Sequence, residues 1–238
     1  LALAQRAHLV TELAARGLEA HCVVVADDDN LDIARGHGFH TVERDNRFVG
    51  RKVNDGIEYA MRHGADYVVT LGSDDWVHAD LFDRLPARKA PEPQPTPGRP
   101  VVWRPGPEVV TGREILIVDL IGGQARRCRA RGRTGVIPWI VPENALQHSR
   151  GRPVGEEKQR GIDGSMALGL RPPPSWVFHD PHDVCRVDFK SDVNITPFPG
   201  LVSNLGYGPI VPPWDLLARR YPAHLVDLAR RTHKELAR

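Results

Sequence analysis

Apolar and polar positions alternate in blocks along the first third of the chain. Leu3, Ala7, Val10 and Ala14 recur at helical spacing, Leu9 and Leu13 stand beside them, and Gly17 is a natural helix end, so a helix is predicted over 1–16. Residues 21–26 (HCVVVA) are a short β-branched run with the length of a buried strand, and they run directly into Asp27-Asp28-Asp29-Asn30, which strand interiors disfavour. A second strand is expected at 39–42 and a helix over 50–63, with Val53, Ile57 and Ala60 on one face and Gly64 at its end. Residues 66–71 (DYVVTL) form the next apolar strand, which also ends in acid, at Gly72-Ser73-Asp74-Asp75-Trp76. Alternating elements with near-continuous apolar strands predict an α/β fold with a mostly parallel sheet covered on both faces. Open sheets of that kind bind ligands beyond the carboxyl ends of their strands, where both acidic clusters lie.

The pattern changes after 86–100 (PARKAPEPQPTPGRP), a proline-rich loop or linker. Residues 114–120 (EILIVDL), Gly122-Gly123 and 124–129 read as a β-hairpin. Strands are expected at 136–141, where Pro138 suggests an edge or bulge, and at 176–179 and 184–189. A helix is expected within 155–170, and one or two amphipathic helices over 213–237, interrupted near Tyr221-Pro222. No internal repeat is visible.

Composition narrows the function classes. A chain of 238 residues suits one large domain, or one with a smaller appendage. Lys+Arg 32 against Asp+Glu 30 leaves a net charge of +2, which excludes a polyanion-driven design. Arg126, Arg127, Arg129, Arg131 and Arg133 crowd one stretch, where a stripe could meet a diphosphate or an anionic acceptor, but a solvated hairpin is the favoured reading. With aromatic residues at 6%, stacking platforms are scarce and nucleic-acid binding is not expected. Cys22, Cys128 and Cys185 lie far apart without zinc spacing, which reads as reduced thiols in the cytoplasm. No apolar run reaches the roughly 18 residues of a membrane span.

Candidate chemistry concentrates in three places. Asp74 and Asp75, adjacent carboxylates at a strand end, can reach a divalent cation and a ribose or phosphate; hard oxygen ligands suit Mg²⁺ or Mn²⁺. A turn or helix N-cap is the competing reading. Asp163 lies between glycines in Gly161-Ile162-Asp163-Gly164, either as a base near a ligand or as a helix cap. His179-Asp180-Pro181-His182-Asp183 packs two His and two Asp into five residues, a composition that favours a functional turn.

Residues 24–81 resemble the nucleotide-binding half of the GT-A glycosyltransferases, especially family 2. Three pieces carry the resemblance in order: the acidic turn Asp27-Asp28-Asp29-Asn30, the Asn54-Asp55-Gly56 pattern on a helix, and the DXD-like Ser73-Asp74-Asp75 in ADYVVTLGSDDWVHADLF. Two departures are Asp29 in place of the usual Gly and S-D-D in place of D-x-D. The segments RGRTGVIPWIVP, GIDGSM and RVDFKSDVNITPF are similar to glycosyltransferases of actinobacterial phages.

The resemblance implies a GT-A-like (Rossmann-like) fold with a β-hairpin insertion and C-terminal helices. It divides the chain into a nucleotide-sugar-binding half at 1–85, the proline-rich loop 86–100, an acceptor and catalytic half at 101–212, and C-terminal helices at 213–238. It implies a metal-dependent, inverting hexosyltransferase that uses a nucleotide diphosphate sugar and an unidentified acceptor. Asp27 or Asp28 would contact base or ribose, Asn54 would belong to the donor site, Asp74 would reach ribose or sugar, and Asp75 would ligate Mn²⁺ or Mg²⁺. Asp163 would take the acceptor proton, with Glu156 and Glu157 as competitors, and His179 or His182 would add a metal ligand. The plan also places a strand ahead of the first helix, so a gap is expected beside HCVVVA. A nucleotidyltransferase of related fold, which normally opens on a glycine-rich loop, and a non-catalytic nucleotide-sugar or carbohydrate-binding module are the alternatives.

Overall fold

The computed structural model describes residues 1–82, 109–111, 114–130, 139–140, 157, 176–178, 186–191, 198 and 205–238. The helical spacing at the start becomes α1 (Ala2–Ala15), which ends where Gly17 adopts φ 78°. Next come β1 (Val23–Ala26), α2 (Asp28–Gly36) and β2 (His40–Glu43). The sequence pattern did not suggest α2. Its first turn is the acidic stretch expected to be a turn, with Asp27 at the N-cap position and Leu31 and Ala34 buried three residues apart. Carboxylates favour that end of a helix because the backbone N–H groups there are unpaired. α2 supplies the crossover that a parallel pair requires, and β1 pairs with β2 in parallel from Val23↔His40 to Ala26↔Glu43.

α3 (Val49–Arg62) lies closely on β1 at Asn54-Asp55-Gly56: a Cβ at Gly56 would stand 3.3 Å from Val25 Cγ2, a tight contact. The expected strand at 66–71 is reduced to β3 (Val68–Val69). A strand the pattern did not suggest, β4 (Asp75–Val77), begins inside the acidic motif and leads to a 3-10 turn, Ala79–Phe82. The second half contributes β5 (Val109–Thr111), β6 (Glu114–Asp119), β7 (Gln124–Ala130), β8 (Trp139–Ile140), β9 (Trp176–Phe178), β10 (Arg186–Lys190) and β11 (Leu205–Val211). α4 (Trp214–Ala218) and α5 (Ala223–Leu236) follow, divided at Pro222 as the sequence predicts. Apart from residue 157, an exposed turn residue, the helix expected within 155–170 lies outside the described residues, as does the proline-rich loop.

The architecture is α/β with a mixed five-strand sheet, ordered β11-β7-β6-β10-β4, and flanking helices. The expectation of a mostly parallel sheet is corrected here: β10 and β6 run parallel, while β11–β7, β7–β6 and β10–β4 are antiparallel. A continuous apolar run reports burial on both faces, not strand direction. Leu116, Val118 and Leu120 face the core under α4 and α5, and Ile115 and Ile117 face the other side with Cys128 and Phe198. Direction is set by connections: β6 and β7 are joined by a tight turn in which Gly123 takes φ 63°. The expected hairpin is therefore real, but it forms the middle of the main sheet and is no insertion. Outside that sheet, β3 pairs with β8 and β5 with β9, and among the described residues β1 pairs with β2 alone.

β4 is an edge of the five-strand sheet, and α1 covers it. Gln5 Nε2 donates to Val77 O at 2.6 Å, and Arg6 donates to Gly72 O at 3.1 Å and Asp75 O at 2.8 Å. Polar side chains on a helix thus satisfy carbonyl groups that a neighbouring strand would otherwise take. Leu9 and Leu13 continue the contact against Val77, Ala79, Leu81 and Phe82.

Candidate functional site

Two-residue periodicity builds the site. On β10, Val187 and Phe189 enter the core under α4 and α5, which sends Arg186, Asp188 and Lys190 to the opposite face. On β4, Trp76 enters that same core. Asp75 therefore faces away from it, in register with Asp188 on the neighbouring strand. Phe189 N donates to Asp74 O at 2.9 Å, which carries the pairing one residue further.

Asp74, Asp75 and Asp188 each offer a carboxylate oxygen within 4.8 Å of the others. Like charges directly opposite on paired strands repel, and cations compensate them here. Arg186 forks onto Asp75, Nε to Oδ1 at 2.9 Å and an Nη to Oδ2 at 3.1 Å. Lys190 Nζ stands 3.1 Å from Asp74 Oδ2 and 2.6 Å from Asp188 Oδ1. Gly72 is the cradle: its N–H donates to Asp75 Oδ2 at 3.0 Å, and a Cβ there would stand 2.6 Å from Asp74 Oδ1 and 3.1 Å from Asp75 Oδ2. Arg6 is buried behind the pair; burial pushes its guanidinium down from its ordinary value, and the charge of Asp75 works against that shift.

Burial, then the neighbouring charge of Asp75, pushes Asp188 up to about 7 from an ordinary value of 3.8, against the pull of Lys190. The folded state thus holds a proton that the unfolded chain releases near 3.8. Stability from this group is fully present below that value and is lost as pH rises towards 7. Asp188→Asn is expected to gain stability relative to wild type between pH 4.5 and 7.5 in metal-free buffer, read from urea midpoints at the two pH values. A constant difference across that window would contradict the assignment.

Asp27, at the carboxyl end of β1, forms a separate polar relay. Its Oδ1 accepts from Asn30 Nδ2 at 2.8 Å, its Oδ2 accepts from Asn46 Nδ2, and Asn46 Oδ1 accepts from Lys52 Nζ at 2.7 Å. Asp28 opens α2. Asn54 is buried in α3 beside Asp55, whose carboxylate pairs with Arg44. The structure therefore brings Asp74 and Asp75 together with Asp188. Asp163, His179 and His182 lie outside the described residues, as do the competitor Glu156 and the arginines Arg131 and Arg133.

Asp188, Arg186, Lys190 and Arg6 were not among the expected site residues. A signal for three of them exists in RVDFK: Arg, Asp and Lys at alternate positions of a strand whose other residues are apolar mark one charged face. Nothing local marks Arg6.

The three carboxylates can hold a metal ion; the all-oxygen donor set suits a hard cation. No helix among the described residues is long and apolar enough to cross a membrane. Comparison with known families and curated proteins finds no match to this chain.

Proposed function

We propose that the chain is a metal-dependent glycosyltransferase of the GT-A type, which moves a sugar from a nucleotide diphosphate sugar to an acceptor, with inversion. The observation that carries this reading is the convergence of Asp74 and Asp75, from the DXD-like motif at the start of β4, with Asp188 of β10 around a glycine cradle. Asp74, Asp75 and Asp188 would hold Mn²⁺ or Mg²⁺. When bound, such an ion neutralises charge that develops on a departing diphosphate.

The chain's own residues supply orientation. Asp75 is fixed by Arg186 and the Gly72 N–H, whereas Asp74, with its side chain 30% exposed, is the more accessible carboxylate. Asp27, held by Asn30 and Asn46, or Asp28 would contact the base or ribose. Asn54 serves the donor site from behind, as part of the helix that packs on β1. Asp163 would accept the acceptor proton, and His179 or His182 would complete the metal site. A cytoplasmic location agrees with the expectation of reduced thiols.

The test is thermal stabilisation by UDP- and GDP-sugars with and without Mn²⁺. A ligand at 100 times its Kd stabilises by about 2.7 kcal/mol. Asp74→Asn is expected to lose the metal-dependent part of that shift while keeping the wild-type fold, because Asp74 is the least buried member of the cluster. Absence of any response to nucleotide, with or without metal, would sink the proposal. Slow donor hydrolysis, lost in Asp163→Asn with binding retained, separates a transferase from a binding module; consumption of NTP with release of pyrophosphate would indicate a nucleotidyltransferase.

A further inference from the structure

Lys190 ends β10, and its backbone is held in the sheet by the bond from Leu120 N to Lys190 O at 2.8 Å. Its side chain is nine-tenths buried, and the ammonium lies between two carboxylates from different strands, 3.1 Å from Asp74 and 2.6 Å from Asp188. These two residues belong to the trio whose oxygens converge within 4.8 Å. An ion bound to the same carboxylates would sit about 2.0–2.6 Å from their oxygens, in the space the ammonium borders. The two cations cannot be held there together without strong repulsion. Arg186 differs: its planar fork is committed to Asp75 by two hydrogen bonds, whereas a lysine has a flexible stem and no fixed geometry.

We infer that the Lys190 ammonium is a tethered cation that offsets part of the cluster's negative charge before the donor arrives, and that a divalent ion enters by displacing it towards the donor's diphosphate. This rests on the metal-dependent reading above. Charge balance carries it. With Arg186 and Lys190 in place the three carboxylates have little negative charge left to attract a metal. Moving Lys190 aside exposes that charge, and the displaced ammonium then meets the phosphates. Metal and nucleotide therefore bind with positive coupling that runs through this one side chain.

The test is Mn²⁺ binding to the full chain by electron paramagnetic resonance, alone and with UDP or GDP, for wild type, Lys190→Gln and Lys190→Arg. Lys190→Gln is expected to bind Mn²⁺ alone about tenfold more tightly than wild type, and its gain in Mn²⁺ affinity on adding nucleotide shrinks by a similar factor. Lys190→Arg, which keeps the charge and adds a fork that is harder to displace, binds Mn²⁺ alone no more tightly than wild type. Equal Mn²⁺ affinities and equal nucleotide gains in wild type and Lys190→Gln overturn the inference and leave the metal reading intact. Failure of every form to bind Mn²⁺, with or without nucleotide, overturns both. A measurement on wild type alone guards against a variant that does not fold. Acetylation of Lys190, followed by mass spectrometry, is expected to rise several-fold when Mn²⁺ is added, and unchanged labelling at saturating Mn²⁺ overturns the inference.

Discussion

Asp75→Ala is expected to destabilise the fold by about 3–5 kcal/mol, the usual cost of removing one partner of a buried ion pair. Asp75 is 6% exposed and balances two guanidinium groups. Arg186 forks onto its carboxylate, and Arg6 is held behind it by the carbonyls of Gly72 and Asp75 itself. Removing the carboxylate takes from both cations the counter-charge that Asp75 supplies, and from the Gly72 N–H its acceptor. In a chain of this size the loss corresponds to about 6–20 °C in Tm. Urea denaturation followed by far-UV circular dichroism measures it. The double variant Asp75→Leu/Arg186→Leu is expected to recover part of the loss, because replacing both charges by apolar groups is far less costly than orphaning one. A wild-type midpoint for Asp75→Ala would show that solvent screens the pair and that it contributes nothing to stability. The same argument dictates the choice of variant for ligand assays: loss of metal response in Asp75→Ala would mix unfolding with ligand loss, whereas Asp74→Asn isolates the site.

Trp76→Ala, one residue along and on the other face of β4, should cost a similar amount for a different reason. Trp76 is fully buried, with its ring centroid 4.7 Å from that of Phe189 and 5.2 Å from that of Tyr221. It joins the main sheet to the C-terminal helices through Leu217, Leu225 and Val226. Truncation removes that contact and leaves a cavity that the surrounding strands cannot close, which costs about 3–5 kcal/mol. Trp76→Phe is the informative control. It keeps an aromatic ring against Phe189 and Tyr221 and removes an indole N–H that has no acceptor among the described residues, so it should cost less than half as much. Equal losses for the two variants would show that an aromatic ring alone does not preserve the packing at this position. Together the two positions predict that charge on one face of β4 and core on the other contribute comparably to stability.

Helical spacing and turn residues were legible because they are local. The positions of α1, α3, α4 and α5, the break at Pro222 and the β6–β7 hairpin all follow from periodicity of 3.6 or 2 and from glycine or proline at the ends. The acidic Asp27 after β1 was equally visible in the order of residues, whereas Asp74-Asp75, expected at the carboxyl end of a strand over 66–71, instead lead into and open β4. Other features were not. The first turn of α2 was hidden because Asp and Asn suit turns and helix starts alike. Strand direction was hidden because an apolar run such as EILIVDL states that both faces are covered and says nothing about which neighbour runs which way. The third carboxylate was hidden because Asp188 is 113 positions beyond Asp75 and reaches it only through the antiparallel pairing of β10 with β4. Chain order thus specifies which residues share a face of one element, through backbone geometry alone. Which faces meet, and hence that Asp74, Asp75 and Asp188 share a single glycine-lined space with Lys190 between two of them, follows from packing between distant segments, which no local pattern encodes.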